Sequence, residues 1–333
     1  MFLRDGLSTA ASIVSIILNL LLIILLRANA KRVVGLYHNM MIGSAVYDTL
    51  FSIMFIIAAP TLTAKVEEQS VFILKAGIPM PLSAGRFILV CWVFFLSVSI
   101  AVSPCHFIFR YIQVCMPLSS YNKRTYSVLL VPIVMASIGG TMLSFSSWPS
   151  RAVIVYFEHL MYPFHFHGAK SFLVASLDAR QERGPNVRLQ LAKAIVLKVT
   201  IVYLIAFLVL NIIIMLFCSH NIMKSVKRIQ SKKSRDLQKQ LHTLLVAQFI
   251  VPFLCIHTPF YVCLLAPLCH VDTGLAADYL PILFACSPAL NPLIILYLVR
   301  DLRSSSAAFF KTLAISQKCF IKSRSDITVR PVA

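Results

Sequence analysis

Seven stretches of this chain are each at least twenty residues long and nearly free of charge, and they constrain its fold more than any other feature. About twenty apolar residues are needed for an α-helix to cross the hydrocarbon core of a bilayer. Only one of the stretches contains a charged residue, Asp48. The sequence therefore predicts an all-α membrane protein, a seven-transmembrane helix bundle with spans near residues 7–26, 36–62, 87–109, 126–147, 196–218, 243–265 and 279–299.

The composition excludes a soluble protein of ordinary type. Of the 333 residues, 59% are hydrophobic and 13% are charged, whereas a soluble domain carries about 25% charged residues. The strands of a membrane barrel would alternate over about ten residues, and no apolar stretch here does so. The first stretch, after Arg4 and Asp5, is too long for the core of a signal peptide. We expect one domain, residues 1–333, organised by the bilayer.

The distribution of charge predicts the orientation of the bundle. The formal net charge is +19. If segments 27–32, 110–124, 224–239 and 300–333 are cytoplasmic, that side holds 20 of the 31 Lys and Arg residues but three of the 12 acids. Cytoplasmic loops are enriched in Lys and Arg, so the N-terminus should lie outside and the C-terminus inside. The basic charge then reflects topology and contact with anionic lipid rather than nucleic acid.

Asp48 is the only acid well inside a predicted span. A carboxylate in the bilayer costs about 2.5 kcal/mol or more, so it needs partners or a function. Two interpretations stay open: a water- or ion-linked switch between helices, or a polar packing contact with Asn19 and Asn291. Tyr47-Asp48 and Pro288-Ala289-Leu290 also resemble parts of intramembrane aspartyl proteases, but the second intramembrane acid that such chemistry requires is missing.

The loops and the tail contain weaker candidate sites. Glu158, His159, His165 and His167 have a spacing that could bind a metal ion, but an aromatic lid over the bundle explains them equally. We therefore expect no metal and no other cofactor. Residues 301–313 place apolar side chains near one face, as in a helix that lies in the membrane interface. Cys319 follows this segment and is a candidate palmitoylation site.

Prolines inside the predicted spans indicate bends. Proline has no backbone N–H, so the carbonyl four residues before it loses its helical hydrogen bond and the helix kinks. Pro252 and Pro259 do this in span six, and Pro288 and Pro292 in span seven, where Pro292 frees the carbonyl of Pro288. Clustered kinks are typical of helices that pivot, although static irregularity explains them as well.

Several motifs along nearly the whole chain share one family resemblance. Phe109-Arg110-Tyr111 closes span three within the wider signature of residues 106–112, and residues 237–252 form a polar entry to span six that ends in Gln-x-x-x-Pro. Span seven ends with residues 288–293 and 299–303. These motifs resemble those of G-protein-coupled receptors, and within them the nematode chemoreceptors of the Str superfamily. Serpentine receptor class delta is the most similar class.

This resemblance implies a chemosensory receptor and not an enzyme. It implies a small-molecule ligand in the helix bundle, a heterotrimeric G protein as partner, and a plasma-membrane location in a sensory cilium. A transporter is the alternative, although seven spans provide no paired halves. Asn291 and Tyr297 lie six residues apart, and outer loop 151–198 has no cysteine. Because both features depart from rhodopsin-like receptors, the details of their switch are not carried over.

The expected ligand site lies at the outer ends of spans three, five, six and seven. Aromatic side chains with a few polar tips suit a small ligand. A lysine in this region could pair with an acidic ligand, or could extend its amine to the membrane surface. The candidates are Phe87, Cys91, Phe94, Lys198, Tyr203, Tyr261 and Tyr279.

The expected switch and G-protein contact lie at the inner ends of the spans. Arg110 and Tyr111 end span three, and Gln248 and Pro252 lie in span six. Arg110 needs a counter-ion, because an unpaired charge near the membrane edge is poorly solvated. Asp236 is the only acid in the three inner loops. We therefore expect Arg110 to approach Asp236 at rest.

The predicted orientation is tested by epitope tags at the two ends of the chain. A tag before Met1 should be reached by antibody on intact cells, and a tag after Ala333 only after permeabilisation, because the basic loops hold the C-terminus inside. Exposure of both tags on the same side would remove one span from the bundle and contradict the receptor interpretation.

Overall fold

The chain folds into a bundle of apolar helices. The structure is a computed structural model that describes residues 2–28, 35–66, 69–75, 80–116, 127–149, 171–176, 187–266 and 274–299, with residues 78, 271 and 303. The helices of this part of the chain are α1 (Phe2–Ala28), α2 (Gly35–Ala58), α3 (Leu82–Cys115), α4 (Leu130–Ser146), α5 (Val187–Lys227), α6 (Lys232–Leu265) and α7 (Gly274–Leu298).

Six of these helices are long and apolar enough to cross a membrane, and α4 is an apolar helix of 17 residues. Helices α3 and α5 run beyond the predicted spans 87–109 and 196–218 at both ends. In the bundle, α1 packs against α2 and α7, and α3 packs against α2, α4 and α5. A central aromatic group is almost fully buried, and it consists of Phe51, Phe55, Trp92 and Phe284.

A three-stranded sheet covers one end of the bundle. Strands β1 (Thr61–Val66) and β2 (Gln69–Lys75) form an antiparallel pair, and β3 (Phe172–Ser176) pairs antiparallel with β2. The backbone N–H of Val174 donates to the carbonyl of Ser147 at 2.8 Å, which ties β3 to the end of α4. We call this the sheet end of the bundle, and the opposite end, where Arg110 lies, the arginine end.

The sheet was not expected from the sequence, which extended the second span to residue 62. In the structure α2 ends at Ala58, and Thr61 begins β1. Pro60 has no N–H to continue the helix. Ala59 adopts a positive φ of 40°, which turns the chain away from the helix axis. The apolar strand that follows is therefore part of the sheet and not of the span.

Helix α6 contains a change of helical winding. An α-helix over Lys232–Pro252 continues as a π-helical turn over Phe253–His257 and then as an α-helix over Thr258–Leu265. The N–H of Thr258 donates to the carbonyl of Phe253, five residues earlier. The turn lies between Pro252 and Pro259, the two prolines from which a bend was predicted. Such turns are frequent at functional sites.

Close packing of α3 and α4 gives a test of this fold. A Cβ at Gly140 would stand 3.0 Å from Oγ and 3.2 Å from Cβ of Ser97 on α3, whereas a Cβ at Gly43 would meet nothing within 4 Å. Gly140→Leu should push the helices apart and cost about 1–3 kcal/mol of stability, while Gly43→Leu should not. Thermal unfolding of both purified variants in detergent measures this, and equal melting of the two would contradict the packing.

Candidate functional site

A polar core joins α1, α2 and α7 in the middle of the bundle. The amide nitrogen of Asn291 donates to carboxylate oxygen Oδ2 of Asp48 at 3.0 Å. The amide nitrogen of Asn19 donates to the carbonyl of Pro288 at 3.0 Å and to the carbonyl of Ser15 at 2.9 Å. Asn19 has no exposed surface, and Asp48 and Asn291 are each 7% exposed. The three intramembrane polar residues named from the sequence therefore lie in one region.

The bond from Asn19 fills a gap in the backbone of α7. Residue 292 is a proline, so the Pro288 carbonyl cannot receive the helical hydrogen bond from four residues later. In a membrane such a carbonyl must find another donor, since water is absent. Asn19 on α1 supplies it. The proline pattern of α7 and the buried asparagine of α1 are thus parts of the same contact.

Serine hydroxyls extend the polar core between α1 and α2. The hydroxyls of Ser15 and Ser52 lie 2.8 Å apart. Ser52 also donates to the backbone carbonyl of Asp48 at 2.9 Å. All of these side chains are buried, so α1, α2 and α7 are held together by hydrogen bonds as well as by packing.

A narrow cavity adjoins Asp48 and Asn291, and we call it the polar cavity. It has room for about two water molecules. Both interpretations of Asp48 agree with this arrangement, because the carboxylate has a packing partner in Asn291 and also borders space for water. The lining residues come from α2, α3, α6 and α7, and they are Ser44, Tyr47, Asp48, Phe51, Ser99, Val102, Ser103, His106, Gln248, Pro252, Ile256, Ser287, Pro288 and Asn291.

At the arginine end, Arg110 is 3% exposed and is bonded to two glutamine side chains. Its Nη1 donates to Oε1 of Gln113 at 3.2 Å on the same helix. Its Nη2 donates to Oε1 of Gln238 on α6. The amide of Gln240 donates in turn to the carbonyl of Leu298 near the end of α7. Two glutamines of α6 thus connect α6 to α3 on one side and to α7 on the other.

The expected pairing of Arg110 with Asp236 is not the arrangement in the structure. Asp236 is exposed, and Gln238 occupies the position against Arg110. Residues two apart in an α-helix point about 200° away from each other, so the two side chains cannot share one face. Tyr111 is half-buried, with its ring centroid 6.0 Å from that of Phe217 on α5.

A second cavity lies beneath the sheet, and we call it the apolar cavity. It has room for only about one water molecule. Its walls come from α3, α4 and α6, and strands β2 and β3 complete them at the sheet end. The lining residues are Leu74, Trp92, Val93, Leu143, Ser144, Ser147, Leu173, Ala175 and Phe260. None of these side chains is charged, which suits an apolar occupant.

The ligand candidates named from the sequence lie elsewhere. Phe87, Phe94 and Tyr279 are 66%, 41% and 61% exposed on the surface of the bundle. Lys198 is exposed, and Cys91 is half-buried outside the lining of the apolar cavity. A run that is apolar on every face does not show which face meets lipid, so the sequence could not choose among these positions.

Two of the candidate tyrosines join helices instead of lining a cavity. The hydroxyl of Tyr203 on α5 donates to the carbonyl of Met135 on α4 at 2.8 Å. The hydroxyl of Tyr261 on α6 donates to the carbonyl of Leu204 on α5 at 3.1 Å. Each hydroxyl meets a helix backbone, so these side chains fix helix positions.

Some sequence-based expectations fall outside the described residues. They are the loop residues Glu158, His159, His165 and His167, the interfacial helix over 301–313 and the palmitoylation candidate Cys319. Over the described ranges, no group of three or more His, Cys, Asp or Glu side chains is placed to hold a metal ion.

The arrangement of helices defines a seven-helix receptor fold. The structure superposes on the crystal structure of squid rhodopsin with a TM-score of 0.56, covering 93% of this chain and 85% of that one. The sequences are 16% identical, so this likeness shows the fold alone. The predicted seven-transmembrane bundle is thereby confirmed.

The family follows from sequence comparison. The family of serpentine-type seven-transmembrane G-protein-coupled chemoreceptors, Str, matches residues 5–306, and the chain belongs to this family. Serpentine receptor class r-10 of Caenorhabditis briggsae is 23% identical over 309 residues, 88% of this chain and 86% of that protein. G-protein coupled receptor str-33 of Caenorhabditis elegans is 25% identical over 319 residues, 92% of each chain.

The chain is therefore a G-protein-coupled chemosensory receptor of the membrane, as its motifs predicted. The transporter and protease alternatives are not favoured. Both relatives named above carry the designations r and str, and the assignment to class delta stays a prediction.

The contact between Asn19 and Pro288 can be tested by a double-mutant cycle. Asn19→Leu should cost about 1–3 kcal/mol of stability, because it leaves the Pro288 carbonyl without its donor. Pro292→Ala restores a backbone N–H four residues after Pro288, so Asn19→Leu should cost less in that background. Thermal unfolding of the four proteins in detergent measures the coupling. Strictly additive losses would show that the two sites do not share this carbonyl.

Proposed function

We propose that this receptor binds a small external chemical at the sheet end and activates a heterotrimeric G protein at the arginine end. The signal passes through a change in helix packing and involves no catalytic step by the chain. Binding favours one of two packings of the bundle, and the G protein recognises that packing. The observation that carries this proposal is the contact of Arg110 with Gln238, which holds α6 against α3 at the arginine end.

The apolar cavity supports the location of the ligand. Phe260, which lines it, belongs to the part of α6 that follows the π-helical turn. Pro252 and Ile256, on either side of the start of that turn, line the polar cavity. An occupant that displaces Phe260 would therefore act on the same helix that ends in Gln238. Helix α6 can carry the displacement because its winding changes between the two cavities.

The described basic side chains support the orientation of the bundle. Lys224 and Lys227 lie in the last turn of α5, and Lys232 and Lys233 begin α6. All four are exposed at the arginine end. Such residues attract anionic lipid headgroups of the cytoplasmic leaflet. We infer that the arginine end faces the cytoplasm, with the receptor in the plasma membrane of a sensory cilium.

Reconstituted nucleotide exchange tests the proposed function. The purified receptor in lipid nanodiscs is mixed with heterotrimeric G proteins of each Gα class and with pools of small uncharged volatile compounds. At least one pool should accelerate GTPγS binding to one Gα, and an Arg110→Ala receptor should lose this response. Receptor that binds no pool and accelerates no exchange with any Gα would contradict the proposal.

The contact at the arginine end gives a further prediction. Gln238→Ala removes an acceptor from a buried guanidinium, which costs the resting packing about 1 kcal/mol and should raise basal nucleotide exchange about fivefold. Gln230→Ala is the matched control, because Gln230 is an exposed glutamine of the same loop.

The same assay distinguishes Gln238 from the acid named from the sequence. Asp236→Asn should leave basal exchange at the native level, since Asp236 is exposed. All variants are compared at equal receptor concentration. An increase with Asp236→Asn and none with Gln238→Ala would restore the ion pair with Asp236 as the resting contact.

A further inference from the structure

The apolar cavity has one side chain whose hydrogen-bonding capacity is unused. Trp92 lies in the cavity wall and is 1% exposed. Its indole nitrogen Nε1 is buried and has no hydrogen-bond partner among the residues that the structure describes. Tryptophan N–H is a donor only, and buried donors in folded proteins nearly always have an acceptor. The wall therefore contains a donor that an occupant could satisfy.

Neighbouring aromatic rings hold the indole in place. The ring centroid of Phe284 on α7 is 5.8 Å from that of Trp92, and the centroid of Phe55 on α2 is 6.5 Å away at a near edge-on angle. Both phenylalanines are almost fully buried. Because rigid neighbours surround it, the indole is poorly able to turn toward an acceptor elsewhere, and its donor stays in the region of the cavity.

The rest of the wall limits what an occupant can be. Ser144 and Ser147 contribute hydroxyls, which can donate or accept. The other lining side chains are hydrocarbon, with Leu173 and Ala175 from β3 among them. A charged ligand would be left without a counter-ion in this setting, and a buried unpaired charge is strongly unfavourable.

We propose that the apolar cavity binds a small, uncharged, largely apolar molecule with one unhindered acceptor oxygen, of the carbonyl or ether class, and that Trp92 donates to this oxygen. This inference rests on the proposed function only for the consequence of binding, since the binding site itself is defined by the cavity. The cavity has room for only about one water molecule in this structure. The ligand is therefore small and widens the cavity on entry.

Intrinsic fluorescence tests the site without any signalling assay. The chain has two tryptophans, Trp92 and Trp148. Trp148→Phe leaves Trp92 as the only emitter, and Trp92→Phe leaves Trp148. Purified receptor in nanodiscs is titrated with cyclopentanone and with methylcyclopentane, which match in shape but differ in the acceptor oxygen.

Cyclopentanone should produce a saturable change in Trp92 emission. Methylcyclopentane should bind about tenfold more weakly, since it leaves the indole donor unsatisfied. Trp148 emission should show only the linear change caused by partition into lipid. A Trp92 response that is absent or unsaturable at millimolar cyclopentanone would overturn the proposal, as would equal affinity for the two compounds.

Variants of the cavity wall identify the donor. Competition against a cyclopentanone analogue carrying a photoreactive group measures binding independently of fluorescence. Trp92→Phe should reduce the preference for cyclopentanone over methylcyclopentane about tenfold, whereas Ser144→Ala and Ser147→Ala should leave it unchanged. If a serine variant abolishes the preference and Trp92→Phe does not, the assignment of the donor is wrong.

Nucleotide exchange on the same samples separates this inference from the proposed function. Saturable binding through Trp92 without accelerated exchange on any Gα would leave the site standing and contradict coupling. Accelerated exchange by cyclopentanone that persists in Trp92→Phe would leave coupling standing and contradict the site.

Discussion

The hydrogen bonds between Asn19, Asp48, Asn291 and the Pro288 carbonyl fix the bundle on which the rest of the structure depends. Within a bilayer, lipid tails are as apolar as leucine, so the hydrophobic effect does little to choose which helix faces meet. A buried carboxylate and two buried amides do choose, because each must reach its partner on another helix. The polar core thereby sets the relative positions of α1, α2 and α7.

This fixed unit contrasts with α6. Helix α6 reaches its neighbours at the arginine end through the side chains of Gln238 and Gln240, and it contains a π-helical turn between two prolines. Its contacts there are amide hydrogen bonds and not an ion pair of the kind expected from the sequence. A bond of this type contributes about 1 kcal/mol, which is small enough to be exchanged for contacts with a partner protein. The bundle thus combines a part that holds register with a helix that can be displaced.

The sequence predicted the number and approximate positions of the helices because long apolar runs have few alternatives. It also predicted that Pro292 would free the Pro288 carbonyl, although not that Asn19 would supply the donor. Residue-level positions were harder to predict. Phe94 and Tyr279 lie in runs that are apolar on all faces, so no periodicity distinguished the lipid face from the core. Asp236 was chosen by charge alone, and helical phase places Gln238 against Arg110 instead.

The sheet and the apolar cavity could not be derived from local pattern. β1 and β2 continue an apolar run directly after α2, and β3 comes from a distant part of the chain. Their pairing depends on where the helix ends meet. Trp92, one of only two tryptophans, was not singled out from the sequence because a tryptophan in a span usually reports packing. Its buried N–H became informative only with the cavity beside it.

The central claim is that the foot of α6 separates from the rest of the bundle while α1, α2 and α7 stay together. Distances between spin labels test this directly, with one label at Asn39 on α2 and one at Lys233 on α6, in a chain whose exposed cysteines have been replaced. Both positions are exposed at the arginine end. Addition of nucleotide-free G protein should add a longer distance for this pair, while a control pair on α1 and α2 keeps one distance. An unchanged distribution between Asn39 and Lys233 in a complex that has formed would contradict the account.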